Sequence, residues 1–245
     1  MRKTEKYELV GEPRRHHNGY YYLRRIRALR DIPEYGVKAG DLGGWIGHVG
    51  NLSQEGSCWV AEEAEVYGDA KVYGNAYVFG RAEISGEAQI SDYAQVYGNA
   101  MVYGRAKVYG YAQISGKSRI HYDAEIYDFA YVMNEAEVDG SAQVFGHAHI
   151  SDYAWVCGKG MVYGTARVSG RTNISKNARI FGDAQIINAL VYEDAQVYGC
   201  AQVSDSRIHG RAQICGHAKV DNYAEVCDDA HITYGHISGE NKSQT

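Results

Sequence analysis

Histidine exchanges a proton near neutral pH more readily than any other side chain. The candidates for such work in this chain are His121, His147 and His149, with His209 and His217 further on. His147 and His149 lie on either side of Ala148, and Asp152 and Tyr131 are neighbours in sequence or one repeat away. General-base chemistry needs such an imidazole within hydrogen-bond reach of a substrate. The competing reading is structural, because equivalent slots elsewhere hold Asn, Gln, Lys or Tyr. Spacing supports no Ser/His/Asp or Cys/His arrangement. The five cysteines (Cys58, Cys157, Cys200, Cys215 and Cys227) are an odd number with no C-x-x-C pair. They read as reduced thiols rather than a disulfide framework. Three fall between 200 and 227, but neither their spacing nor the nearby histidines form a recognised zinc set, so no metal site is assigned.

A repeat must position all of these side chains. From Val60 to Ile186 every sixth residue is Val or Ile, twenty-two positions without an insertion. Two residues before most of them stands a small residue; of 21 such slots 18 are Ala, and the others are Ser118, Gly160 and Thr172. A helix has a period of 3.6, so a strict repeat of six would carry the branched residues around its whole surface. In a strand, Ala and Val of A-x-V point the same way. The pair that follows is typically Gly-Asn or Gly-Asp, and 18 of the 21 slots two residues after Val60 through Ile180 are Gly, Asp or Asn. Those residues suit a bend with positive φ. Each hexad is therefore one short strand and one tight turn, and its apolar side is buried only when successive coils stack. After Ile186 the step shortens to five in three places, Ile186 to Val191, Val203 to Ile208 and Ile232 to Ile237.

Runs such as VYGDAKVYGNAYVFG resemble the hexapeptide-repeat proteins, whose consensus is aliphatic-x-x-x-small-x. The segments KYEL, VKAGDLGGW at 37–45 and LSQEGSCWV at 52–60 further resemble an enterobacterial group carried under an acyltransferase label. Similar YGNA-repeat proteins occur in phage and mobile-element genomes. The resemblance implies an all-β fold, a single-stranded left-handed parallel β-helix. Its 31 branched slots would make about ten triangular coils, a rod roughly 50 Å long at a strand spacing of about 4.8 Å. It also implies a trimeric acyltransferase that binds acetyl-CoA between subunits and uses a histidine as base. For such an enzyme His121, His147 and His149 are the catalytic candidates. The uninterrupted run from 60 to 186 lacks the protruding loops that shape an acceptor pocket.

With three hexads per coil, one face carries Tyr73, Ser91, Tyr109, Tyr127, Phe145, Tyr163, Phe181 and Tyr198 immediately after the branched residue. Seven of these eight are aromatic, whereas the other two faces are mixed. Tyr93, Tyr111, Phe129 and His147 extend the strip around the neighbouring corner. Ladders of like rings stabilise a parallel sheet, and a continuous aromatic strip is also the make-up of a protein-binding or self-association surface.

Residues 1–57 are out of register and read as a small β cap, with strands at 6–10 and 19–28 separated by the turn-like GEPRRHHNG. In the second segment Leu23, Ile26 and Leu29 fall three apart, which suits a helical turn as well as a strand. Trp45, Ile46 and Leu52 fill the junction. The β-helix is placed at 58–237, and 238–245 reads as a polar, disordered tail. Residues 1–30 carry nine Lys/Arg against three Asp/Glu, with His16 and His17 adding potential charge. Arg14, Arg15, Arg24, Arg25, Arg27 and Arg30 are the basic face of the cap, either a solvated surface or a nucleotide or nucleic-acid contact.

No run of 18 apolar residues exists to cross a membrane as a helix. The opening MRKTEKYELVGEPRRHH has no apolar core of a secretory signal, and the expected compartment is the cytoplasm. Five Thr with none in a ladder argue against ice binding, and no phosphate-binding glycine motif is present. The leading expectation is a non-enzymatic scaffold without a cofactor, which engages a protein partner or itself as a dimer or trimer. A phage-type role, engaging a host protein, is one form of it.

Overall fold

The computed structural model describes residues 5–239. Most hexads form a two-residue strand that pairs in parallel with the strand eighteen residues on, so Val96 lies between Val78 and Ile114. Three flat faces result. The first runs through Glu65–Val66 and Glu83–Ile84, the second through Lys71–Val72 and Gln89–Ile90, and the third through Trp59–Val60 and Tyr77–Val78. Together they make a left-handed parallel β-solenoid of about eleven turns. The branched residues and the alanines between them are buried as one continuous core. Each buried Val or Ile contributes about 1.5–3 kcal/mol.

The turn residue two places after the branched one has positive φ, as its composition implies. Gly116 sits at 71°, with the backbone of Asn134 directly beneath it on the next turn. Asp92, Asp128 and Asp152 take the same conformation at 55°, 56° and 60°. Each accepts a backbone N–H one turn further on, from Gly110 (3.1 Å), Gly146 (3.2 Å) and Gly170 (3.0 Å). Aspartate tolerates the left-handed region because its short carboxylate bonds locally; here that bond ties coil to coil. At the five-residue steps after Ile186 and Val203, Asn188 and Asp205 keep positive φ, and the inward small residue (Ala189, Ser206) follows directly. One turn residue is dropped without disturbing the column.

At the N-terminal end strand β1 (Tyr7–Arg15) and strand β2 (Tyr22–Ala28) form an antiparallel hairpin. Strand β3 (Leu42–Ile46) pairs antiparallel with β2 and parallel with Glu65–Val66, so the hairpin continues the first face past its open edge. That pairing removes the row of unpaired backbone groups a bare edge presents. β1 runs further than expected: Gly11–Arg15 are strand, with a register shift between Val10 and Arg14. The helical alternative for 19–28 is corrected to a strand. Leu23, Ile26 and Ala28 are all buried, so the alternation of sides along the strand breaks once between Leu23 and Ile26; Leu29 is exposed. The turns number about eleven rather than ten, because Trp45 and Ile46 pair with Glu65 and Val66, and Leu52 bridges Val72. The step from Leu52 to Val60 is eight, and this hid the first turn from a search for sixes.

Lys6 is fully buried beneath the cap, and its Nζ donates to the Cys58 carbonyl (2.7 Å) and to Cys58 Sγ (3.0 Å). Burial holds its pKa below the usual lysine value. Of the polar tail, residues 240–245 lie outside the described residues. No helix among the described residues is long and apolar enough to cross a membrane.

Candidate functional site

On the second face the rings of Tyr109, Tyr127, Phe145, Tyr163, Phe181 and Tyr198 form an unbroken column. Successive centroids are 4.7 to 5.0 Å apart and the planes lie within 4° of parallel. The strand spacing sets that repeat. Tyr73 stands outside the column, because Ser91 occupies the rung between it and Tyr109. Around the corner toward the third face, Tyr93, Tyr111, Phe129 and His147 make a second column with centroids 4.8 to 5.0 Å apart. Its rings are the more open ones: Tyr93, Tyr111 and Phe129 are 49%, 50% and 44% exposed. A third stack, of Tyr35, Tyr77, Phe79 and Tyr97, joins the cap to the third face. It escaped the sequence reading because Tyr35 comes from the short helical turn Pro33–Tyr35, outside the repeat.

The three candidate bases are not brought together. His147 caps the corner column against Phe129, and His149 stacks on Tyr131, with centroids 4.8 Å apart. Burial, then Arg167 and His147, lowers the pKa of His149. Asp152 faces Asn134 and Gly170 instead of either histidine.

His121 lies on the first face, and its Nε2 is 2.8 Å from Glu137 Oε1 and 3.8 Å from Asp139 Oδ2. Its ring stacks on Tyr103 at 4.7 Å. Arg119 pairs with Glu137, and Trp155 Nε1 donates to Asp139 Oδ2 at 3.0 Å. Burial alone would raise the Glu137 pKa, but the bonds from His121 and Arg119 outweigh it and lower it. Burial, with Asp139 and Glu137, pushes the Cys157 thiol up to about 11, so this sulfur is no nucleophile at neutral pH. His121 is thus held in an ion-pair network whose members stand one turn apart, at positions that only the eighteen-residue coil aligns. His209 repeats the motif with Glu225 at 3.2 Å and Tyr192 at 4.9 Å.

Three of the six arginines of the basic cap are paired with carboxylates. Arg14 pairs with Glu65, Arg25 with Glu63 (2.7 Å) and Arg27 with Glu8 (2.5 Å). Arg14 and Arg25 also lie over the Trp45 ring, at 4.0 and 4.9 Å. Arg15 donates to the Gly19 carbonyl and Arg30 to that of Gly56.

All five cysteines are free. The three between 200 and 227 do not converge: Cys227 follows Val226 on the first face, Cys215 follows Ile214 on the second, and Cys200 lies at a corner. Two groups among the described residues could hold a cation, His121 with Glu137 and Asp139, and His16 with His17 and Glu65. Neither contains a cysteine. Clefts of about 310 to 360 Å³ open beside Tyr223, beside His17 and beside Tyr20–Tyr22, and none of these three is lined by His121, His147 or His149. The molecule is a β-solenoid scaffold whose surface is capable of protein interactions.

The comparisons agree with that geometry. A family model described as the YdcK beta solenoid repeat matches residues 94–110, about one coil. No curated protein matches the chain.

Proposed function

We propose that this chain is a non-enzymatic binding scaffold that engages protein through the aromatic corner between its second and third faces, and first of all a second copy of itself. The observation that carries this reading is the open column of Tyr93, Tyr111 and Phe129 beside the six-ring column of the second face. Rings half exposed at one per coil form a rigid apolar strip, and aromatic anchors of this kind dominate protein interfaces. A second copy carries the same column at the same spacing, so ring can meet ring along the whole strip. Five free thiols fit a reducing, cytoplasmic setting.

The absolute mass in solution, measured by light scattering during gel filtration, tests this. A dimer or trimer is expected, and the double variant Tyr111→Ser, Phe129→Ser should return it to monomer with unchanged circular dichroism. A wild-type monomer removes self-association. A trimer that survives the double variant and titrates with acetyl-CoA would instead support the between-subunit acyltransferase reading.

A further inference from the structure

The geometry points to a divalent transition-metal site, of the zinc type, formed by His16, His17 and Glu65, which fastens the β1–β2 turn to the first coils. One ligand atom from each of the three lies within 4.8 Å of the others. Two imidazoles and a carboxylate make a nitrogen-rich donor set, which suits zinc and disfavours calcium or magnesium.

The second observation is independent of that clustering. The His16 side chain is 1% exposed, yet its Nε2 has no hydrogen-bond partner. Glu65 Oε2 lies only 3.0 Å away but off the N–H direction, and Glu83 Oε1 lies 3.8 Å away. A buried imidazole nitrogen left unpaired asks for an explanation, and a lone pair directed at a cation supplies one. The 3.0 Å between His16 Nε2 and Glu65 Oε2 is also close to the separation of two ligands that each stand about 2.0–2.2 Å from a tetrahedral zinc.

The surroundings favour the same occupant. A cleft of about 330 Å³ reaches His17 and Glu65 and is lined also by Arg14, Glu63, Arg81 and Glu83. Other partners already engage most of those acids. Arg14 takes Glu65 Oε1, Arg25 and Trp45 take the two oxygens of Glu63, and the Tyr67 hydroxyl donates to Glu83. Glu65 Oε2 is left toward the histidines, with Arg14 orienting the carboxylate from behind, as outer-shell partners of metal ligands do. Coordination through Nε2 places the imidazole proton on His16 Nδ1, which now accepts a long 3.4 Å bond from the Asn18 N–H. Metal binding must therefore displace that N–H and shift the turn.

The test uses the full chain, untagged and stripped with a chelator, titrated with zinc chloride by calorimetry and by amide NMR. One zinc per chain is expected, with a rise in thermal midpoint and a shift of the Asn18 amide. His17→Ala replaces an exposed residue, so the fold survives it; affinity should fall at least about tenfold, and likewise in Glu65→Gln. His121→Ala and Cys215→Ser should leave binding unchanged. The site is overturned by no binding up to about 1 mM zinc, by binding indifferent to His17 and Glu65, or by binding lost in His121→Ala or Cys215→Ser.

Discussion

Tyr127 and Phe145 stack with their centroids 4.8 Å apart and their planes 2° from parallel. The backbone sets this relation, because a parallel ladder holds each residue over its equivalent one turn away. Phe145 also stacks on Tyr163 at 4.8 Å, so Phe145→Ala removes two aromatic contacts from the middle of the column. At about 0.5–1.5 kcal/mol per pair, urea unfolding should show a loss of about 1–3 kcal/mol. Phe129→Ala also removes two ring contacts, to Tyr111 and His147, but at an open corner position, so it should cost less than Phe145→Ala while disrupting association. Equal losses at the two positions would make the corner column structural and deprive it of its binding role.

Gly116 is held by two constraints at once. Its φ is 71°, and a Cβ there would meet Asn134 N and O at 2.6 Å. Gly116→Ala should destabilise the solenoid by about 1–3 kcal/mol, since both the conformation and the contact oppose it. Gly11 has a similar φ of 73° but open space around it, so Gly11→Ala should cost roughly 1 kcal/mol. Matching losses in chemical denaturation would mean that coil-to-coil contact adds nothing.

The hexad made the faces, the buried column and the second-face ladder legible, because each follows from a residue's place in the repeat. Relations that cross between the repeat and the cap were hidden. Trp45 and Ile46 belong to the first coil, but the eight-residue step from Leu52 to Val60 separates that coil from the run of sixes, and Tyr35 stacks on Tyr77 from outside the repeat. His16 meets Glu65 across 49 positions of chain, a pairing that only the hairpin's antiparallel return creates. Within the solenoid, His121 and Glu137 stand sixteen apart; knowing the coil length, that spacing could have suggested their meeting.

Acid should weaken the first face at Glu137. Its pKa is lowered in the folded state by His121 and Arg119 against the opposing effect of burial. The contribution is therefore complete above the ordinary glutamate value of 4.5 and is lost as pH falls through the lower folded value. Glu137→Gln should flatten the acid limb of a stability–pH profile below about pH 4.5. An unchanged limb would show that the His121 network carries no folding energy.

Alkali should release the cap. The Tyr7 hydroxyl donates to the carbonyls of Leu52 (2.8 Å) and Val49 (3.1 Å), and burial, with Cys58, pushes its pKa up to about 12. The raised value means that stability is complete below about pH 10 and declines as pH rises toward 12. The decline at this one group should be of order 1–2 kcal/mol by pH 12. Tyr7→Phe should lose about 1 kcal/mol at neutral pH through the missing bonds and then show a shallower alkaline slope. A slope as steep as wild type would place the titrating group elsewhere.

Salt dependence decides what the basic cap can bind. A protein that neutralises Z phosphates loses affinity with a log–log slope of about −0.9Z. Arg14, Arg25 and Arg27 are already paired with Glu65, Glu63 and Glu8, and Lys6 is buried against Cys58. Arg15, Arg24 and Arg30 remain without a carboxylate partner among the described residues, and two of these donate to backbone carbonyls. Polyanion binding followed by fluorescence anisotropy should therefore be weak, with a slope no steeper than about −3. Arg24→Ala should flatten it by about one, whereas Arg25→Ala should leave the slope unchanged and free Glu63. A slope near −6, or equal effects from both variants, would mean that the ion pairs open on contact with phosphate, and the cap would then be a nucleic-acid surface.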